Sequence, residues 1–115
     1  MRTQNISIKG RVFSALVAET PTEQQTGLMW REWPPPPMIF PYKNASVIKF
    51  WMKNTISPLD IIFCKAGKVV GVFAGQPLST TLVGPNETSD LVIELPAGTA
   101  GSIGLQIGDY VGIEK

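Results

Sequence analysis

The chain has 115 residues, 43% apolar and 17% charged, with ten Lys and Arg against nine Asp and Glu for a net charge of +1. That length and composition predict one folded domain over residues 1–115, with a single core and a lightly charged surface. No run of Lys or Arg concentrates positive charge, which disfavours nucleic acid as a partner. With no histidine and one cysteine, Cys64, the chain lacks Ser-His and Cys-His pairs, an intrachain disulfide and a thiolate or imidazole metal cluster. No cofactor and no transition metal are therefore expected, although a hard ion on Asp60, Glu94 or Asp109 stays open.

The N-terminus, Met1 to Asn5, leads into alternating residues without an apolar leader, and no later stretch approaches the roughly 20 apolar residues of a membrane span. A cytoplasmic location away from membranes is the expectation. Ile6 to Lys9 and Arg11 to Ala18, punctuated by Gly10, read as a hairpin. A short helix follows from about Thr22 to Trp30, with Thr20 or Thr22 as cap, Pro21 early and Glu23 at the positive end. Pro34 to Pro37 cannot continue it and form a stiff extended segment.

Met38 to Phe40 reads as a brief strand, and Val47 to Met52 and Leu59 to Cys64 as longer ones. Lys65 to Lys68 is a turn into an antiparallel partner, Val69 to Ala74. Gln76 to Asn86 reads as a loop and Asp90 to Leu95 as a strand. Thr99 to Leu105 holds at most one helical turn, and Gly108-Asp109 turns into a last strand, Tyr110 to Glu114. The sum is a mainly β, β-rich α+β domain: compact, antiparallel and barrel-like, with one short helix near residues 20–30. Cys64, inside an apolar run, reads as a buried small hydrophobe.

The most informative stretch is Phe50 to Phe63. It sets Lys53, Asn54, Thr55 and Asp60 inside an apolar, strand-forming run, a mixture that suits a concave surface with apolar walls and a few convergent polar groups. Strand alternation would point Lys53 and Thr55 to one face and Asn54 to the other. Alternation in Leu91 to Leu95 sets Leu91, Ile93 and Leu95 against Val92 and Glu94, so Glu94 faces either solvent or a cleft wall.

Four blocks resemble those of the domain-of-unknown-function family 192. They are Glu19 to Arg31, Phe50-Trp51-Met52-Lys53-Asn54-Thr55 with Pro58-Leu59-Asp60, Leu91 to Gly98, and Gly108-Asp109. Their order and spacing span about residues 12 to 113. The resemblance implies a small β-rich, barrel-like domain of bacteria, archaea and some phages, often behind a signal peptide and without an established activity. Here no leader is expected from residues 1–5, four prolines replace a more polar, Gly-containing loop, and Gln76 to Val83 lacks a cysteine that many members carry.

The candidate ligand-binding set is Arg31, Trp51, Lys53, Asn54, Asp60 and Glu94, converging on a partly open cleft walled by Trp51 and Met52. Each also has a structural reading: Trp51 and Met52 as core, Asn54 as turn former, Asp60 as cap, and Arg31 as salt-bridge partner of Asp60 or Glu94. The favoured function is a non-catalytic module binding a small polar ligand or a protein partner. One alternative is a small hydrolase-like enzyme using Asp60 and Glu94 as acid and base. The other is a structural or assembly subunit.

Overall fold

Two turns of left-handed residues set the hairpins from which the sheet is built. In the computed structural model, which describes residues 1–114, strand β1 (Thr3–Ile8) turns through Lys9 and Gly10 into β2 (Arg11–Val17). Both turn residues have positive φ, 49° and 78°. Ala66 and Gly67, at 50° and 76°, do the same between β4 (Leu59–Lys65) and β5 (Lys68–Gly75). Such a pair matches the twist of the flanking strands, and glycine adopts this conformation without a Cβ clash.

With β3 (Met38–Ser46), β6 (Ser89–Pro96) and β7 (Val111–Ile113), these strands form one sheet in the order β5-β4-β6-β3-β2-β1-β7. The sheet curls into a half-barrel whose edge strands approach at one end through a bridge between Lys68 and Tyr110. There the Val69 amide donates to the Asp109 carbonyl at 2.9 Å, and the Val111 amide to the Gly67 carbonyl at 2.8 Å. The fold is mainly β, as expected. Every strand pairing is antiparallel except β2 with β3, where Leu16 lies beside Met38 and Val17 beside Ile39. Parallel neighbours need a crossover, and residues 18–37 supply it.

That crossover begins with helix α1 (Pro21–Thr26), shorter than the expected 22–30. Thr20 is the cap: its hydroxyl accepts from the Glu23 amide, and the Glu23 carboxylate accepts in turn from the Thr20 amide. This reciprocal box satisfies two amides that the first turn leaves unpaired. Gly27 stops the helix at φ 50° and ψ −129°, which only glycine adopts readily. Helix α2 (Thr99–Ile103) is little more than one turn.

The strand expected over Val47 to Met52 does not form. Instead β3 runs on to Ser46, shifts register after Pro41, and releases residues 47–58 from the sheet. Local alternation is overridden because Phe50 and Met52 are anchored into the second-face cluster, with Phe50 meeting Val83 in an isolated bridge. Asn54 has φ 58°, so the alternation predicted for Lys53, Asn54 and Thr55 breaks there. The Thr55 amide closes the turn onto the Met52 carbonyl at 3.0 Å.

Each face of the sheet carries a buried cluster. One cluster draws on every strand, including Ile6, Val17, Ile39, Ile62, Val69, Ile93 and Val111. The other, on the opposite face, comprises Leu28, Phe40, Met52, Leu59, Ile61, Phe63 and Val92 with their neighbours. Alternation on β6 thus sends Ile93 and Leu95 to the first cluster and Val92 to the second. Cys64 is buried in the first, and burial pushes its thiol up to about 12. Among the described residues no helix is long and apolar enough to cross a membrane.

Gly84 permits a close approach of the strandless segment to the loop before β6. Its φ is 151°, and a Cβ there would lie 2.6 Å from the Ile48 carbonyl oxygen. Gly84→Ala should therefore lower the unfolding free energy by about 1–3 kcal/mol, the usual cost of overpacking, as read from urea denaturation. An unchanged midpoint would mean that this contact does not hold the segment.

Candidate functional site

The second face of the sheet is incompletely covered. Residues 24–29, from α1 and the turn after it, form one wall of a cavity of about 400 Å3. The strandless segment, through Ile48, Lys49, Phe50, Trp51, Lys53 and Thr55, forms the other, with Leu82 beside it. Phe40 and Tyr42 of β3 and Glu94 of β6 complete the lining.

Glu94 is where it is because of strand geometry. It shares a face with Val92, and its cross-strand partners are Met38 on β3 and Ile61 on β4. All three neighbours are core residues, so a carboxyl at this position is enclosed by apolar groups: Glu94 is only 4% exposed. No hydrogen bond or salt bridge among the described residues reaches that carboxyl, and burial alone raises its pKa to about 8. Gly27 keeps the space above it open, since a Cβ there would come within 3.8 Å of Glu94 Oε1 and 3.5 Å of the Phe40 ring. Half-buried Tyr42 is pushed up to about 12, first by burial and then by the Glu94 charge.

The rim is cationic. Lys53 is exposed and holds its ammonium 5.3 Å from the centroid of the Trp51 ring. Trp51 itself is 43% exposed, so it is a wall rather than a core residue. The Lys49 ammonium is turned onto the carbonyls of Gly84 and Pro85, the latter at 3.0 Å.

Of the six residues singled out from the sequence, the structure brings Trp51, Lys53 and Glu94 together at this cavity, whereas Arg31, Asn54 and Asp60 do not line it. Asp60 Oδ2 accepts from the Ala100 amide at 2.8 Å and so caps α2, whose own N-cap, Gly98, has no side chain to offer. Asn54 occupies the left-handed turn position, and its carbonyl accepts from the Trp30 amide at 2.9 Å. Arg31 is exposed; its backbone carbonyl accepts from Ser57 Oγ at 2.8 Å. Met52, expected as a cleft wall, is 2% exposed and belongs to the core. The ion pairs of the described residues are Arg2–Glu19 and Lys9–Asp109, so Arg31, Lys53, Asp60 and Glu94 make no network. Among those residues no three His, Cys, Asp or Glu side chains gather in a way that could hold a metal.

The sequence reading missed Phe40, Tyr42 and Lys49. The signal for the first two was available in alternation: had β3 been extended past Phe40, then Met38, Phe40 and Tyr42 would have shared a face with the Val92–Glu94 side of β6. Lys49 carried no such signal, because its position depends on the fold of residues 47–58.

The chain belongs to the DUF192 family, described as "Uncharacterized ACR", whose pattern matches residues 4–113. It is similar to a crystal structure of a protein of unknown function from Novosphingobium aromaticivorans DSM 12444. The two are 30% identical with a TM-score of 0.87, over 96% of this chain and 84% of that one. It is also similar to a Sinorhizobium meliloti 1021 protein described as a "putative transcription regulator". Identity there is 27% and the TM-score 0.87, over 97% of this chain and 94% of that one. No curated protein matches.

A carboxyl with a raised folded pKa stabilises the fold below its unfolded pKa, and that contribution is lost as pH rises to the folded value. For Glu94 the window runs from 4.5 to about 8, and at about 1.4 kcal/mol per pH unit the loss is at most about 5 kcal/mol. Wild-type stability measured by denaturation should therefore fall across this range relative to Glu94→Gln, which cannot ionise. Parallel pH profiles for the two proteins would contradict the placement of Glu94.

Proposed function

We propose that this member of the DUF192 family is a non-catalytic binding module whose cavity takes a small polar ligand or a protruding group of a protein partner. The observation that carries this reading is the Glu94 carboxyl, nine-tenths buried and unpartnered among the described residues, at a cavity open to solvent. The Glu94 oxygens are not fully enclosed, unlike Ser89 Oγ, yet partial desolvation of an unpartnered carboxyl still costs free energy, and an apolar residue would fill the position better. A bound ligand would supply the missing partner. Trp51, Phe50 and Tyr42 add apolar contact area of the kind that small-molecule sites use.

Hydrolysis by a carboxylate pair gains less support. It needs a second carboxyl across the cavity, and Asp60 is engaged at the Ala100 amide instead. The Sinorhizobium relative's description fits a sensing role, in which cavity occupancy would be the signal. A DNA-contacting role for this chain draws no support from ten basic against nine acidic residues.

An NMR titration of the labelled protein with small amines, amides, carboxylates and sugars tests the reading. Binding should perturb the resonances of Gly27, Tyr42, Trp51 and Lys53 together. Lys53→Ala should change stability by no more than about 0.5 kcal/mol, as expected of an exposed side chain, while weakening whatever binds. A destabilisation of several kcal/mol, or perturbations confined to other surfaces, would contradict it.

A further inference from the structure

We propose that the group this cavity accepts is an organic cation, an alkylammonium that enters between the aromatic walls and pairs with the Glu94 carboxylate. The inference rests on the binding reading above and names its ligand class. Three observations lead to it.

First, the Glu94 side chain is 4% exposed and no hydrogen bond or salt bridge among the described residues reaches its carboxyl, so a complementary charge would come from a ligand. A neutral ligand would receive one hydrogen bond from the protonated acid. A cation would make a charge-assisted pair of roughly twice that strength, in a site where apolar surroundings weaken screening.

Second, four aromatic residues line the cavity, Phe40, Tyr42, Phe50 and Trp51, of which Trp51 is 43% exposed. Aromatic faces attract cations, and ammonium recognition by such cages is a recurring use of that attraction. Lys53 already sits on the Trp51 face, so this rim holds a cation without help from a carboxylate.

Third, the charged groups around Glu94 leave its charge unanswered. On β3 the titratable neighbour is Tyr42, which is neutral at physiological pH; α1 contributes the uncharged Gln24 and Thr26; and β4 places Ile61 opposite. The strandless segment brings Lys49 and Lys53, but one is bound to backbone carbonyls and the other lies over Trp51. The exposed Lys53 ammonium would meet an acceptor at the far end of the ligand. An ammonium at the floor and a carbonyl or carboxylate at the rim describe two sources of one chemistry, a free amino acid with a terminal amine or a lysine side chain on a peptide.

Binding to the carboxylate displaces the Glu94 proton to solvent, so affinity and proton release are coupled. The test is calorimetric titration between pH 6 and 9 with n-butylammonium, 6-aminohexanoate and Nα-acetyl-lysine methylamide. All three keep a charged ammonium throughout the range, 6-aminohexanoate as a zwitterion, since such amines ionise near pH 10.4. Butyramide and butyrate serve as uncharged and anionic matches. The expected result is about a tenfold gain in affinity per pH unit from 6 to 8, a plateau above, and close to one proton released per cation bound at pH 6. Glu94→Gln, checked for folding by thermal melting, should abolish both the binding and the proton release. Tighter binding of 6-aminohexanoate would point to a free metabolite, and tighter binding of the lysine derivative to a partner's side chain; either supports the proposal. Cation affinity that is flat with pH or unchanged in Glu94→Gln would overturn it. If butyramide or butyrate binds through Glu94 and the cations do not, the ligand class is wrong while the binding reading stands. If no probe binds, both fail.

Discussion

Phe50 packs edge-on against two rings of the sheet, Phe40 at 4.9 Å and Phe63 at 5.8 Å between centroids, and the rest of the site follows from that contact. Phe73 extends the same edge-to-face series beyond Phe63 at 5.6 Å. Arrangements of this kind add about 0.5–1.5 kcal/mol per pair to the area they bury. They fix residues 47–58 to the sheet at a point where no strand ladder holds them. The backbone bonds that do exist are scattered. Phe50 and Val83 exchange two at 2.8 Å, the Met52 amide reaches the Ser79 carbonyl, and the Leu78 amide reaches the Thr55 carbonyl. A segment anchored at points rather than along a ladder can arch, and the arch leaves the cavity between itself and α1.

The central strands β4 and β6 are buried on both faces, an arrangement more typical of parallel α/β sheets than of small antiparallel ones. β6 lies between β4 and β3, and four consecutive residues from Val92 to Leu95 are buried. A glutamate among them, only 4% exposed, is unfavourable from the standpoint of packing alone. The fold tolerates it because the acid stays protonated through the neutral range, which avoids burying a bare charge. Stability given up at one position in favour of a chemical group is the pattern expected of a functional site.

Turn chemistry and face alternation carried most of the fold in the sequence. Gly10 and Gly67 marked both hairpins, Thr20 and Glu23 marked the helix start, and the Leu91 to Leu95 alternation separated Glu94 from the neighbouring core side chains. Two things were hidden. Val47 to Met52 has the composition of a strand, and only tertiary anchoring of Phe50 and Met52 turns it into an arch. Asp60 and Asn54 sit in the most distinctive block of the chain, yet one serves a distant helix end and the other a left-handed turn. Asn54 as a turn former and Asp60 as a cap were legible as alternatives, but their partners, Trp30 and Ala100, were not, because both are remote in sequence. Glu94 was identifiable as a site candidate but not as a desolvated one, since that required the core face of β3 and α1 above it.

The account turns on whether the Glu94 carboxyl is buried without a partner in the free protein. Carbon-detected NMR titration of its side-chain carboxyl measures this directly. Burial predicts a midpoint far above the ordinary glutamate value of 4.5, near 8, in the absence of any ligand. A midpoint at or below 4.5 would mean that the carboxyl is solvated or already paired, and the cavity would lose the group on which its proposed role depends.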